Sequence, residues 1–311
     1  MTEYGHKPVL LAEVLDGLKI RPDGSYVDCT FGRGGHSRAI LQRLDENGRL
    51  LLMDKDEQAI NFAGQHYAQD SRVLPVHTSF EHLREVLERH KRFGQVAGIL
   101  LDLGVSSPQL DDPERGFSFQ KQGGLDMRMN TADGITAKDW LKQTPVREMM
   151  RVFREYGEEK FARRIATAID AQRQESDIET TTQLAELIQA VVPSRERDKH
   201  PATRVFQAIR IAVNRELEEL EAVLPQCVDA LGAQGRLLVI SFHSLEDRIV
   251  KRFFRQQEIA DPYPKEIPVK AAQIRPRLIR IGDAIKAGAE ELQANPRARS
   301  AVLRIAERTA V

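Results

Sequence analysis

The sequence lacks the marks of membrane and secreted proteins. No segment approaches the ~20 apolar residues that a membrane-spanning helix requires. The opening residues, Met-Thr-Glu-Tyr-Gly-His, are not arranged like a signal peptide. We therefore expect a cytoplasmic protein that does not bind a membrane.

Cysteine is also scarce. Cys29 and Cys227 are far apart, and neither belongs to a Cys-x-x-Cys or Cys/His pattern. This spacing disfavours both a disulfide framework and a zinc site. We expect two buried thiols and no bound metal.

An excess of basic charge is absent as well. The 46 lysines and arginines balance 46 aspartates and glutamates, so the overall charge does not point to nucleic acid. A length of 311 residues, 41% of them apolar, suits a globular chain with one large domain or two ordinary ones. A surface for a polyanion would require local segregation of charge.

The first hundred residues carry an α/β pattern. Short β-type runs alternate with amphipathic stretches, which indicates parallel strands joined by crossover helices. Helices are predicted to begin near His36, Glu57 and Glu81, where apolar residues recur at helical spacing. The predicted strands are residues 25–29, 49–53, 72–76 and 98–101.

Helical patterns replace the strands between about residues 111 and 210. Thr136 can cap one helix, Thr144 followed by Pro145 can begin a second, and Thr180 with Gln183 forms a capping box for another. These signals predict a run of helices with no strand among them.

The strand pattern returns in the last third of the chain. One long amphipathic stretch at 203–231 and a Gly-Ala-Gln-Gly turn lead into a strand at 236–240, a helix at 245–256, and strands at 277–281 and 301–306. We predict an α/β fold whose Rossmann-like sheet domain comprises residues 1–110 and 213–311. An all-helical domain of residues 111–212 is inserted into it.

A glycine-rich turn follows the first predicted strand, in Asp28-Cys-Thr-Phe-Gly-Arg-Gly-Gly-His-Ser37. Glycines let a ligand approach backbone amides at the start of a helix. Ser37 stands where a dinucleotide fingerprint has its third glycine, whereas Asp28 matches the acidic-x-x-x-Gly-x-Gly loop of methyltransferases. Asp54, which ends the second strand, can accept both ribose hydroxyls of either NAD or S-adenosylmethionine. A tight turn without a ligand is the plainer alternative.

Further candidate side chains follow the other strands. Phe80 can stack on adenine or belong to the core. Asp102 begins Asp-Leu-Gly-Val-Ser-Ser-Pro-Gln109, which partly resembles the segment that amino-methyltransferases use to bind a target amine; alternatively, Asp102 caps the strand or contacts the cofactor. His243 is a candidate proton acceptor or RNA contact, or else a structural hydrogen-bonding residue.

Two short stretches carry several basic residues that could receive phosphates. They are residues 195–204 and residues 295–300. Residues 111–212 hold 17 basic and 17 acidic side chains, so their total charge favours no RNA-binding face.

Several idiosyncratic blocks occur together in this chain, and together they resemble the bacterial small-subunit ribosomal RNA cytosine-N4 methyltransferases, the MraW or RsmH family. The similarity extends from residue 6 to about residue 308, with Cys29 standing where another small residue is expected. The blocks are His6-Lys-Pro-Val-Leu-Leu11, Asp28-Cys-Thr-Phe-Gly-Arg-Gly-Gly-His-Ser37, Leu101-Asp-Leu-Gly-Val-Ser-Ser-Pro-Gln109, Arg115-Gly-Phe-Ser-Phe119, Leu125-Asp-Met-Arg-Met129, His200-Pro-Ala-Thr-Arg204, Ser241-Phe-His-Ser-Leu-Glu-Asp-Arg248 and Asn295-Pro-Arg-Ala-Arg-Ser300.

The resemblance implies an S-adenosylmethionine-dependent enzyme that methylates N4 of a cytidine in the decoding centre of 16S rRNA. It implies a class I methyltransferase domain, a helical domain that recognises the substrate within the small ribosomal subunit, and a monomer or homodimer. Asp102 and His243 are the catalytic candidates. The cofactor contacts it implies are Gly34, Gly35, His36, Asp54, Phe80, Asp102 and Gln109.

Two other functions compete with this one. An NAD-dependent dehydrogenase would use the same sheet, although Ser37 counts against it. A non-catalytic RNA-binding or assembly factor could keep the cofactor fold without the chemistry.

Overall fold

The computed structural model describes residues 8–192, 200–259 and 276–310. The chain forms two compact units, one of Met1–Gly104 with Leu217–Val311 and one of Val105–Glu216. No helix among the described residues is both long and apolar enough to cross a membrane. The role in substrate recognition expected for residues 111–212 remains a prediction.

The first unit is built on a mixed sheet. Its described strands are β1 (Ser25–Asp28), β2 (Arg49–Asp54), β3 (Val73–His77), β4 (Val96–Asp102), β5 (Leu231–Ser241), β6 (Leu278–Arg280), β7 (Ile285–Lys286) and β8 (Val302–Arg308). The strand order is β3-β2-β1-β4-β5-β8-β6, with β7 also paired to β8. The first five strands run parallel, and β8 runs antiparallel to its neighbours.

This topology confirms the predicted α/β, Rossmann-like fold. The chain passes from β1 outward to β3 and then returns to the other side of β1 to form β4, so β1 and β4 flank a switch point. Open sheets of this kind bind ligands beyond the carboxyl ends of the strands at such a point. A ligand site is therefore expected at the loops after β1, β2 and β4.

Side-chain alternation explains why the sheet has two cores. Val27, Leu51 and Ile99 belong to one buried cluster, which includes residues of α4 (Leu83–Arg89), α11 (Glu216–Ala230) and α12 (Ser244–Glu258). The next residues along two of these strands, Leu52 and Leu100, belong to the other cluster, with α1 (Leu11–Leu18), α2 (Gly35–Leu41) and α3 (Glu57–Tyr67). Successive strand residues point to opposite faces, so both faces of the sheet are covered.

The second unit is helical and has a core of its own. Its described helices are α5 (Ser107–Asp111), α6 (Ala137–Gln143), α7 (Val146–Glu155), α8 (Ala162–Glu175), α9 (Thr181–Val191) and α10 (Thr203–Asn214). Thr136 accepts a hydrogen bond from Asp139 N, and Thr180 forms a capping box with Gln183. Both predicted caps are confirmed, and α7 begins directly after Pro145 as expected.

Three sequence expectations differ from the structure. The stretch 203–231 is two helices, because Arg215 adopts a left-handed conformation (φ 52°) between α10 and α11. The Gly-Ala-Gln-Gly segment is part of β5, where Gln234 has φ 63° and the register with β4 is irregular. The short β7 and α13 (Ala289–Ala294) were not predicted, since runs of two and six residues give little periodicity.

Candidate functional site

The glycine-rich turn after β1 is fixed to neighbouring strands through its backbone. Cys29 N donates to Leu100 O at 2.9 Å, and Phe31 N donates to Met53 O at 3.0 Å. Asp102 N, at the end of β4, donates to Thr30 Oγ1 at 2.7 Å. The turn therefore lies across the carboxyl ends of β1, β2 and β4.

Glycine is required in this turn for conformation and for space. Gly34 has φ 72°, and a Cβ atom on it would lie 2.6 Å from the ring of Phe31. A Cβ atom on Gly35 would lie 3.0 Å from Pro8. Side chains at either position would push apart the segments that form the turn.

Asp28, the acidic residue of the motif, is buried inside the turn. It accepts hydrogen bonds from Ser37 Oγ at 2.5 Å and from Thr30 N at 3.1 Å. Burial raises the pKa of Asp28 despite these bonds. Its contacts give Asp28 a role in holding the turn against α2.

Asp54 ends β2 and contacts the same turn. Its Oδ2 accepts from Gly32 N and its Oδ1 accepts from Asp56 N, each at 2.8 Å. Burial, with smaller contributions from Asp56 and Asp28, raises the pKa of Asp54 to about 6 although both backbone amides lower it. Each carboxylate oxygen has two acceptor positions, so Asp54 retains capacity for ligand hydroxyls.

Asp102 ends β4 and presents an unsatisfied acceptor. Its Oδ2 is 3.5 Å from His36 Nδ1. Its Oδ1 is buried and makes no hydrogen bond to another described residue. Burial raises the pKa of Asp102 to about 6, opposed by His36 and reinforced by Asp28 and Glu246. A buried carboxylate oxygen without a donor fits a cationic or hydrogen-bonding group of a ligand.

His36 connects Asp102 to residues near the N-terminus. The ring is buried, and its Nε2 lies 2.9 Å from Val9 O. The structure thus brings Gly34, Gly35, His36 and Asp102 together, with Asp54 one hydrogen bond away through Gly32. Their roles toward a cofactor remain predictions.

Phe80 and Gln109 show the alternatives that sequence left open. Phe80 begins a 3-10 turn, Phe80–His82, and is a half-buried ring packed against the core next to α4. Gln109 belongs to the helical unit, is buried, and accepts a hydrogen bond from Ser106 N at 2.9 Å. Both side chains therefore have local structural contacts.

His243 directly precedes α12 and takes part in its capping. Its Nδ1 accepts from Glu246 N at 3.5 Å, while Glu246 Oε2 accepts from His243 N at 3.2 Å and from Phe242 N at 2.8 Å. His243 Nε2 lies 3.2 Å from Glu246 Oε1. These contacts favour the structural alternative for His243.

The stretches predicted to bind phosphate are only partly described. Residues 193–199 lie outside the described residues, whereas His200 is exposed. Asn295 caps the 3-10 turn Pro296–Ser300 by accepting from Arg297 N at 3.3 Å. Arg297 and Arg299 in that turn are exposed, and phosphate binding by either stretch remains a prediction.

Sequence reasoning missed a buried ion pair beside Asp54. Lys55 Nζ lies 2.7 Å from both carboxylate oxygens of Glu219 in α11. Glu219 and Glu216 are buried, whereas Glu218 and Glu221 are exposed. The i, i+3 spacing of the two buried glutamates was the available signal, because such residues share one helix face.

The chain is similar along nearly its whole length to a family model and to named proteins. Residues 3–309 match the model described as the MraW methylase family. A protein of Coxiella burnetii named ribosomal RNA small subunit methyltransferase H is 54% identical over 303 residues, covering 97% of this chain and 98% of that protein. A protein of the same name from Chromobacterium violaceum is 55% identical, covering 99% and 96%.

Among solved structures, an rRNA methylase from Streptococcus thermophilus is similar with a TM-score of 0.42 at 11% identity. The similarity covers 96% of this chain and 95% of that one.

Proposed function

The chain belongs to the MraW methylase family, and from that premise we propose that it methylates N4 of a cytidine in the decoding centre of 16S rRNA. The methylase uses S-adenosylmethionine as its cofactor. Full-length relatives at 54–55% identity are named ribosomal RNA small subunit methyltransferases, which supports small-subunit rRNA as the substrate. Family membership removes the dehydrogenase alternative.

The strand-end carboxylates carry the proposal for the cofactor site. When bound, S-adenosylmethionine supplies an electrophilic methyl group on a sulfonium. In the proposal, Asp54 accepts hydrogen bonds from the ribose hydroxyls, and Asp102 Oδ1 accepts one from the ammonium. The single observation that most favours this arrangement is the buried Oδ1, which makes no hydrogen bond within the described part of the chain.

The remaining cofactor residues complete the proposed site. Gly34, Gly35 and His36 form the turn that backs the methionine end. In the proposal Phe80 stacks on the adenine, and Gln109 is a further contact carried over from the family pattern. The turn, Phe80 and Gln109 lie in different segments of the chain, so the three can be substituted separately.

The chain's contribution to chemistry is chiefly alignment. The exocyclic amine of cytosine is a poor nucleophile because its lone pair is delocalised into the ring, so it must be held in line with the methyl group. Asp102, His243 and a backbone carbonyl within residues 104–108 are the proposed acceptors for the amine proton. His243 contacts Glu246, Asp102 faces His36, and the carbonyls of Ser106 and Pro108 accept hydrogen bonds from Leu110 N and Asp112 N.

We propose that the helical unit binds the RNA that presents the cytidine. The base must leave its stack to reach the methyl group. Arg154 at the end of α7, Lys160 in the connection, and Arg163 and Arg164 in the first turn of α8 are all exposed. None makes an ion pair with another described residue, which leaves their charges available for phosphates.

Reversing charge tests this surface. Arg163→Glu with Arg164→Glu should weaken binding to small subunits and reduce the slope of log affinity against log salt by up to about 2, one phosphate contact for each arginine. Arg89→Glu, which changes an exposed arginine of the sheet unit, is the matched control and should leave the slope unchanged. If Arg89→Glu reduced the slope as much as the double variant, the proposal that the helical unit binds the RNA would be refuted.

The proposed reaction is tested with small subunits that lack the modification. The protein and S-adenosylmethionine labelled in the methyl group are incubated with these subunits or with naked 16S rRNA, and the RNA is digested to nucleosides. Label in cytidine supports the proposal, and the better substrate shows whether the assembled subunit is the partner. RNA binding without label would favour an assembly factor instead. The cytoplasm, where small subunits are found, is the proposed place of action.

A further inference from the structure

The His36 ring lies between two hydrogen-bond acceptors, Val9 O and Asp102 Oδ2. Val9 O is only an acceptor, so the Nε2 atom 2.9 Å away must carry a hydrogen. A neutral ring with its hydrogen on Nε2 has a bare lone pair on Nδ1. That lone pair would face Asp102 Oδ2 at 3.5 Å.

Two acceptors that face each other at a largely buried site are stabilised by a proton between them. The proton can reside on Nδ1, giving an imidazolium opposite a carboxylate, or on Asp102, giving an acid opposite a neutral ring. Either arrangement turns Oδ2 of Asp102 toward His36. Oδ1 is then the oxygen left without a partner among the described residues.

The surrounding charges oppose an ionised Asp102, except for His36. Asp28, at the end of β1, and Glu246, in α12, both raise the pKa of Asp102, whereas His36 lowers it. Asp28 accepts hydrogen bonds from Ser37 and Thr30, and Glu246 accepts from Phe242 N and His243 N. His36 is thus the neighbour that favours the anionic form of Asp102.

The other end of the His36 ring holds the N-terminal strap, residues 8–10. Pro8 packs against Gly35, and Leu10 N donates to Glu291 Oε1 at 2.7 Å. Val9 O contacts His36 between these two points. The strap therefore fixes the ring from the side opposite Asp102.

We propose that His36 is a positioning residue, whose ring extends from the Val9 carbonyl to Asp102 and shares a proton with Asp102 Oδ2, so that Oδ1 is turned to the cofactor's ammonium. This inference rests on the proposed cofactor role of Asp102. It assigns the His36 side chain a function through Asp102 rather than through a contact with the cofactor.

Two substitutions separate the two contacts of the ring. The amide of Asn occupies nearly the place of Nδ1, so His36→Asn keeps a donor for Asp102 and loses Val9. The amide of Gln occupies nearly the place of Nε2, so His36→Gln keeps Val9 and loses Asp102. Each is neutral, and thermal melting shows whether either has lost the fold.

Affinity for S-adenosylhomocysteine, which carries the same ammonium, is measured by calorimetry from about pH 5 to about pH 8. His36→Asn should stay within about threefold of the wild type at neutral pH, and His36→Gln should bind about tenfold more weakly. In His36→Gln the pH at which acid weakens binding should move upward, because the ring no longer lowers the pKa of Asp102. Identical profiles for the two variants would overturn the inference.

A double-variant cycle distinguishes positioning from independent roles. If His36 acts through Asp102, then His36→Gln with Asp102→Asn should bind no more weakly than Asp102→Asn alone. If the losses of affinity in the two single variants multiplied in the double variant, the inference would be contradicted. The ¹⁵N signal of His36 Nδ1 in the ligand-free protein should also change in Asp102→Asn, and an unchanged signal would overturn the inference. This measurement needs no ligand, so it is independent of cofactor binding. Failure of the wild type to bind S-adenosylhomocysteine would refute the proposed function separately.

Discussion

Asp54 offers the sharpest separation between stability and binding. Its carboxylate is half-buried and accepts hydrogen bonds from Gly32 N and Asp56 N. Because its pKa rises from 3.8 to about 6 on folding, the folded state binds the proton more tightly than the unfolded state. That contribution to stability is complete below pH 3.8 and is lost as the pH rises through about 6, a change of roughly 3 kcal/mol.

Substitution at Asp54 should therefore give two different stability results. Asp54→Asn removes the ionisation and keeps one acceptor, so we expect its free energy of unfolding at neutral pH to lie within about 2 kcal/mol of the wild type. Asp54→Ala leaves two backbone amides without acceptors and should cost about 2–4 kcal/mol. Denaturant unfolding at several pH values measures both, and the pH dependence between 4 and 6 should be weaker in each variant.

Cofactor binding should fall in both variants. Losing the charged acceptor for two ribose hydroxyls costs about 3 kcal/mol, or about 100-fold in affinity for S-adenosylmethionine. Calorimetric titration of folded Asp54→Asn is the cleanest measurement, because its fold is the better preserved. Affinity within threefold of the wild type would refute the ribose assignment.

Other predictions concern the turn, the core and the missed ion pair. Gly34→Ala should lower the free energy of unfolding by at least about 2 kcal/mol, because of the positive φ of Gly34 and the contact with Phe31. Gly64→Ala, in open space within α3, should raise it by about 0.5–1 kcal/mol. Thermal melting compares the two variants, and equal shifts would contradict the steric argument. Lys55→Met should cost about 3–5 kcal/mol because the buried Glu219 loses its cationic partner, and adding Glu219→Leu should restore most of that stability. A double variant no more stable than the single would refute the pairing. Phe80→Leu keeps an apolar side chain against the core, so stability should change little. Because the aromatic ring is lost, titration should show a severalfold loss of cofactor affinity. Unchanged affinity would leave Phe80 as a core residue only.

The sheet was predictable because its strands are strongly patterned. Residues 98–101 lie within β4, a buried parallel strand that reads as an unbroken apolar run. The break at Arg215 was not predictable, since an arginine in a left-handed conformation leaves no turn signal in the sequence. The two short elements near the C-terminus, β7 and α13, were missed for lack of length.

The site was predictable by position but not by contact. Strand ends placed Asp54 and Asp102 at one edge of the sheet, as the topology confirms. The sequence did not reveal that Asp54 accepts from the glycine turn or that His36 joins Val9 to Asp102. Contacts such as the one between Lys55 and Glu219, 164 residues apart, depend on folding and have no local pattern.

The identity of the methylated atom tests the central claim most directly. Small subunits treated with the protein and isotope-labelled S-adenosylmethionine are digested, and the labelled nucleoside is compared by chromatography and mass spectrometry with authentic N4-methylcytidine and 5-methylcytidine. The account predicts that the label elutes with N4-methylcytidine from a single decoding-centre position. Label that elutes with 5-methylcytidine, or that is found on another base, would contradict it.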